Sequence, residues 1–270
     1  MATSAAFPPV PAPAGSEPWS ALGSGPRAAS GVLLVHGFRS SPASLRPLAE
    51  ELAARGFTVE LPRLPGHGTQ FRDMLPTRYD HWRSHVAASA RALAARTERV
   101  VLVGLSMGGT LALDVASSGA VPVAGVVTIN AQILDRHGIV VKLGSYLEKI
   151  LPAVPAAMAG LATNDINKPD VRPPTHGWIP SKAGNSLLRA LPRVRGQLDR
   201  MPCPVLVMYS RNDHSVSPEN SRALLELVRA PRLEGLVLER SFHVATLDYD
   251  QPLILERVTH FVDGLSVAPS

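Results

Sequence analysis

Arg99-Val-Val-Leu-Val-Gly-Leu-Ser106-Met-Gly-Gly109 is the stretch from which the rest of the chain can be read. Its aliphatic, β-branched run predicts a buried strand over Arg99 to Gly104, and the residues from Met107 to Ser118 carry a helical pattern. Between them lies G-x-S-x-G on Gly104, Ser106 and Gly108, so that a serine stands on a sharp turn from strand to helix. Such a turn needs glycines where a Cβ would strike the neighbouring strand and helix. It also falls at a strand's carboxyl end, the edge at which open α/β sheets hold their ligands.

Working outward, short apolar runs alternate with amphipathic stretches of helical length. On the N-terminal side, strands are expected at Gly31 to His36 and Phe57 to Leu61, and helices at Ser41 to Arg55 and Tyr79 to Arg96. On the C-terminal side, a strand from Val121 to Ile129 is followed by a break in the alternation. The pattern returns with a helix near Asn185 to Leu198, a strand at Val205 to Tyr209, a helix at Pro218 to Val228, a strand at Gly235 to Glu239 and a last helix at Pro252 to Val262. The fold class implied is α/β, a mostly parallel central sheet with helices on both faces. The break, residues 131–184, contains prolines 152, 155, 169, 173, 174 and 180 and an expected helix from Ile139 to Leu151, and it reads as a short cap inserted over the sheet. The core is then 29–130 and 185–270, preceded by a flexible tail, 1–28, rich in Pro and Ala.

Composition narrows the function classes. With 45% hydrophobic and 18% charged residues and no apolar run near the roughly 20 residues of a membrane span, stable insertion in a bilayer is not expected. The net charge of +5 is spread over scattered arginines, with its densest group at Arg189, Arg193, Arg195 and Arg200, which argues against nucleic acid as a partner. The tail lacks the charged start and apolar core of a secretory signal, so a cytoplasmic location is expected. The single cysteine, Cys203, stands between two prolines before an apolar strand and reads as a buried small hydrophobe. His81 and His85 share a helix face, but Trp82 stands where a zinc-protease motif has glutamate and no third ligand is evident; neither metal nor cofactor is expected.

A serine hydroxyl attacks slowly near neutral pH unless a base takes its proton and an acid holds that base in the right tautomer. Asp213 follows one predicted strand and His243 the next, in the chain order serine, acid, histidine. Asp248 is the weaker alternative as acid: it and Asp250 precede the last helix and fit N-terminal capping. His214 is the weaker base because it adjoins the carboxylate. Negative charge developing on a carbonyl oxygen calls for two backbone N–H donors. Met107, at the helix start, is one; Phe38, on the loop His36-Gly37-Phe38 after the first strong strand, is the other, with His36 holding that loop.

The segments His36-Gly-Phe38, Pro62-Arg-Leu-Pro-Gly-His-Gly68, Gly104-Leu-Ser-Met-Gly-Gly109 and Ser241-Phe-His-Val-Ala-Thr-Leu-Asp248 together resemble the bacterial monoacylglycerol lipase and thermophilic carboxylesterase group of the α/β-hydrolase superfamily, over nearly all of residues 30–264. The resemblance implies the α/β-hydrolase fold, a short cap, and the same roles for Ser106, Asp213, His243, Phe38 and Met107. In that group a cap glutamate contacts the glycerol of the substrate. Here Pro169 stands at that position with Asp170 beside it as the candidate contact. Ile133, Val140 and Leu143 are apolar candidates for an acyl-chain pocket, though the same residues could pack the cap onto the core.

The activity expected is hydrolysis of small carboxylic monoesters or lipid esters through an acyl-enzyme on Ser106. A thioesterase or acyltransferase would share that intermediate, and a non-catalytic binding protein of this fold would ordinarily lack a member of the triad. A dehalogenase would carry aspartate at position 106.

Overall fold

The computed structural model describes residue 12 and residues 14–134, 148–156, 165–171 and 177–265. Its frame is a seven-stranded sheet of β1 (Trp19–Ala21), β2 (Ser30–Val35), β3 (Thr58–Leu61), β4 (Arg99–Leu105), β5 (Gly125–Ile129), β8 (Val205–Ser210) and β9 (Leu233–Leu238). The spatial order is β1-β3-β2-β4-β5-β8-β9, parallel throughout except for β1, which runs antiparallel to β3 at the edge. A separate antiparallel pair, β6 (Ala153–Pro155) and β7 (Trp178–Pro180), lies in the segment between β5 and the return of the core.

The period of two along each central strand divides the core into two layers. Val32 and Leu34 of β2 pack with Val101, Val103 and Leu105 of β4 on the side covered by α1 (Arg46–Ala54) and α7 (Gln251–Asp263). Leu33 and Val35 pack with Val100 and Leu102 on the other side, beneath α3 (Tyr79–Ala94), α4 (Met107–Ser117), α5 (Ser181–Arg195) and α6 (Glu219–Leu227). A one-turn helix, α2 (Phe71–Met74), sits between β3 and α3. Because helices cover both faces, the strands read as continuous apolar runs. Each of these side chains, fully removed from water, contributes roughly 1.5–3 kcal/mol before the entropy of ordering it is counted.

One polar cluster joins three of these helices. Asp114 of α4 is fully buried; it accepts hydrogen bonds from the Tyr79 hydroxyl at 2.9 Å and from both amino groups of Arg193 at 3.2 and 3.0 Å, and it pairs with Arg83 Nε at 3.2 Å. Arg193 lies on α5, so this carboxylate fastens the helix that re-enters the core to the α3–α4 pair.

The structure departs from the sequence reading at element ends. The chain enters the sheet at Trp19, well inside the expected flexible tail 1–28, because the free edge of β3 is there to pair with; three residues carry too little pattern to announce it. The helix expected over Ser41 to Arg55 is split into a 3₁₀ turn, Pro42–Ser44, and α1, which restarts with a proline in its first turn. The strand expected from Val121 begins only at Gly125, and the helix expected from Asn185 begins at Ser181. Of the helix expected over Ile139 to Leu151, residues 148–150 form a turn and 139–147 lie outside the described residues. Cys203 is buried and unpaired.

Candidate active site

The site is built at the carboxyl ends of four adjacent parallel strands, β4, β5, β8 and β9. Ser106 follows β4 with φ 56° and ψ −122°, a conformation that costs an L residue about 1–3 kcal/mol. Its surroundings hold it there: Ser106 N donates to Ile129 O of β5 at 2.8 Å, and Gly109 N to Ser106 O at 2.9 Å. A Cβ on Gly104 would lie 2.2 Å from Gly108 O, and one on Gly108 would lie 1.9 Å from Val35 O of β2. The glycines thus let α4 start directly against β2 and β4, and the serine is lifted onto the rim.

Beside it passes the loop after β2. A Cβ on Gly37 would be 3.2 Å from Ser106 Cβ, which measures how closely this backbone approaches the serine. His36, fully buried, holds the loop: its Nε2 accepts from Leu64 N at 3.1 Å and its Nδ1 donates to Gly37 O at 3.0 Å. Burial, helped by His85 and Arg63 and opposed by the bond to Gly37, lowers its pKa to about 4, so the ring is neutral and acts as a strut. The Phe38 ring packs against Trp82, centroids 5.7 Å apart, and among the described residues no acceptor pairs with the Phe38 N–H. Met107 is the first residue of α4, where backbone N–H groups point outward without intrahelical partners.

Asp213 and His243 come together from the ends of β8 and β9. Asp213 Oδ1 accepts from Ser215 N at 2.8 Å and Val216 N at 2.7 Å, which turns Oδ2 toward His243 Nδ1, 2.7 Å away. With Nδ1 so engaged, Nε2 is the ring nitrogen left for a reacting group. Burial works against protonation of this ring. The charge and hydrogen bond of Asp213, joined by the charge of Asp165, outweigh it, so the pKa of His243 is raised above the ordinary histidine value. Among the described residues no hydrogen bond joins the Ser106 hydroxyl to the His243 ring.

Four residues hold this arrangement, of which sequence reasoning did not single out Asn130 and Asp165. Asn130, directly after β5 with φ 50°, accepts from Ser210 N at 2.7 Å and donates to the His243 carbonyl at 2.7 Å, so one amide ties the ends of β5 and β8 to the base loop. Asp248 and Asp250, expected to cap the last helix, instead bind the base loop. Asp250 Oδ2 takes Arg240 N and Ser241 N, both at 2.9 Å, and Asp248 Oδ2 takes Phe242 N at 2.9 Å. Asp250 stands at the N-cap of α7 but makes no side-chain bond to it, since two nearer N–H groups claim its oxygen. Asp165, from the segment between β5 and α5, accepts from His214 N and Nδ1 at 2.9 and 2.8 Å, and engages the residue weighed as the rival base.

Of the expected substrate contacts, Ile133 is fully buried, its backbone held by Asn220 and Arg195, and Asp170 is exposed. Val140 and Leu143 lie outside the described residues. No described helix is long and apolar enough to cross a membrane.

The family described as Serine aminopeptidase, S33, matches residues 26–250. The chain is 37% identical over 260 residues to the thermostable monoacylglycerol lipase of Bacillus sp. (strain H-257), covering 93% of this chain and 96% of that one. A solved structure described as one of two metagenome-derived lipolytic enzymes is 34% identical, with a TM-score of 0.84 over 93% of this chain and 98% of its own. The monoacylglycerol lipase of Paleococcus ferrophilus, at 23% identity, shares the fold with a TM-score of 0.77 over 93% of this chain and 100% of its own. On this sheet order, this serine turn and these matches, the chain belongs to the Serine aminopeptidase, S33, family of α/β hydrolases.

Proposed function

We propose that the chain hydrolyses small carboxylic monoesters through an acyl-enzyme on Ser106, with His243 as base, Asp213 as the acid that orients it, and the Phe38 and Met107 N–H groups as oxyanion donors. The observation that carries the reading is the 2.7 Å bond between His243 Nδ1 and Asp213 Oδ2 at the sheet edge where Ser106 sits in its strained turn. In the first step Ser106 Oγ adds to the ester carbonyl while its proton passes to His243 Nε2. The tetrahedral adduct collapses, the C–O bond breaks, and the alcohol leaves with that proton. Water then adds to the acyl-serine, gives its proton to the same nitrogen, and the acid departs as Ser106 regains its hydrogen. Each oxyanion donor contributes about 3 kcal/mol to lowering the barrier.

Residues 131–184 serve in this reading as a cap, its apolar residues Ile133, Val140 and Leu143 being the candidates for an acyl-chain pocket and Asp170 the candidate contact to the alcohol. The identity to a protein named a monoacylglycerol lipase supports glycerides among the substrates. A single buried cysteine, which leaves nothing to oxidise into an internal disulfide, suits the cytoplasm. The test is labelling by a fluorophosphonate followed by peptide mass spectrometry. Ser106 should be the one residue modified, and Ser106→Ala should lose at least about 10³-fold in kcat while melting as the wild type does. Label on another serine, or an S106A protein that still turns over p-nitrophenyl esters, sinks the assignment. A series of monoacylglycerols beside alkyl esters of equal chain length then decides whether glycerol itself is recognised.

A further inference from the structure

Asp213 is not the sole carboxylate whose charge reaches His243. Asp165 is almost fully buried and belongs to no strand or helix of the core; it sits on a short arm, residues 165–168, of the proposed cap. Its side chain holds the loop of the acid: besides the two bonds from His214, Ser215 Oγ donates to it at 3.2 Å. Its carbonyl holds the loop of the base, accepting from Val244 N, next to His243, at 3.0 Å. One residue therefore bridges the two loops that carry the acid and the base.

The arm is itself anchored to the base loop. Asn167 N donates to Asp248 Oδ2 at 2.7 Å, Lys168 N to Asp248 Oδ1 at 3.1 Å, and Asn167 Nδ2 to Arg240 O at 2.8 Å. Asp248 is fully buried and holds Phe242 N with the same oxygen that takes Asn167 N, so arm and base loop are fixed by one carboxylate. The charged groups that act on the His243 ring are Asp213, bonded to it, and Asp165, through its charge alone, with His214 as a ligand of Asp165. An imidazolium at His243 is thus stabilised by the bonded carboxylate of Asp213 and, at longer range, by the charge of Asp165 on the arm.

We infer that Asp165 is a positioning residue: a cap-borne carboxylate that fixes the acid and base loops relative to each other and stabilises charge on His243 during acyl transfer. The assignment rests on the ester-hydrolase reading above. Removing a negative charge beside the ring makes its protonation less favourable. Since the free enzyme needs His243 neutral to act as base, the acid limb of kcat/KM reports that protonation directly.

The test compares wild type with Asp165→Asn, which keeps the shape and removes the charge. In the variant the acid limb is expected to move to lower pH by about half a pH unit. Its kcat is expected to fall about 10-fold with KM changed less than about 3-fold, because the lost interaction belongs to the charged transition state. A limb that coincides in the two enzymes, or a variant that only raises KM, overturns the assignment, because a merely structural tie between cap and core would act that way. Titration of the His243 ring by NMR reads the same coupling without turnover. A lower ring pKa in the D165N protein supports the coupling even if no ester is hydrolysed, an outcome that would defeat the ester reading alone. An unmoved ring pKa defeats the Asp165 assignment while Ser106 labelling stands.

Discussion

At the scale of single residues, His36 shows how a side chain outside the chemistry supports it. Its folded pKa of about 4 lies below the roughly 6.5 of an unfolded histidine, so between those values the unfolded chain binds a proton that the folded one refuses. Its contribution is complete above about pH 6.5 and is lost as pH falls toward about 4, amounting to roughly 3 kcal/mol. Urea denaturation at a series of pH values should show stability falling through that window, and a His36→Gln variant should show a shallower fall; parallel curves would refute it. His67, also buried, has its pKa well below the ordinary value through burial and the nearby His36, and pulls in the same direction. Ser106, Asp213 and His243, the proposed triad, could be nominated from the sequence because each follows an apolar strand at a turn. Asn130 and Asp165 could not, because their partners lie 80 to 113 and 49 to 79 residues away, and nothing local marks a residue for a contact that only the sheet order creates.

At the scale of elements, Asp114 is the joint to test. Its carboxylate is completely buried among Tyr79, Arg83 and Arg193, so removing it takes the buried counter-charge from both guanidinium groups and leaves Arg193 only the exposed Asp80, 3.8 Å away. Both arginines keep part of their surface in water, which places Asp114→Ala near the low end for broken buried pairs, about 3 kcal/mol of lost stability. Chemical denaturation measures this, and a loss under about 1 kcal/mol would show that the helices hold without the cluster. The helices themselves were readable from their apolar period, but their ends were not. The start of α5 at Ser181 follows from β7, which leads straight into it. Asp250 shows the same limit: an acidic residue before a helix reads as a cap, yet the base loop competes for its oxygen and wins.

At the scale of the whole molecule, the sheet has one edge that the chain covers for itself. β1 pairs with β3, and Arg46 of α1 secures it with its guanidinium 5.3 Å from the Trp19 ring and an ion pair to Glu17 at 2.6 Å. Deleting residues 1–22 would leave β3 as an open edge of unpaired backbone groups, the usual template for association. The truncated protein should form larger species with rising concentration in size-exclusion chromatography, more strongly than the full chain, and an unchanged profile would show that the edge needs no cover. The arm of residues 165–168 is the second whole-molecule feature. Its Asp165 bonds to His214, Ser215 and Val244, so that one residue ties the loops after β8 and β9 to the segment between β5 and α5.

Hydrophobic period, turn glycines and the order serine, acid, histidine can be read along the chain, and from them the sequence alone determined the α/β class and the two-faced core and supplied the three side chains proposed to react. Tertiary structure alone decided what stands behind those side chains: the amide of Asn130, the carboxylates of Asp165, Asp248 and Asp250, and the cover over β3. These contacts depend on which strands lie side by side and which loops meet at their ends, and that adjacency is created only when the burial of all the apolar faces is satisfied together.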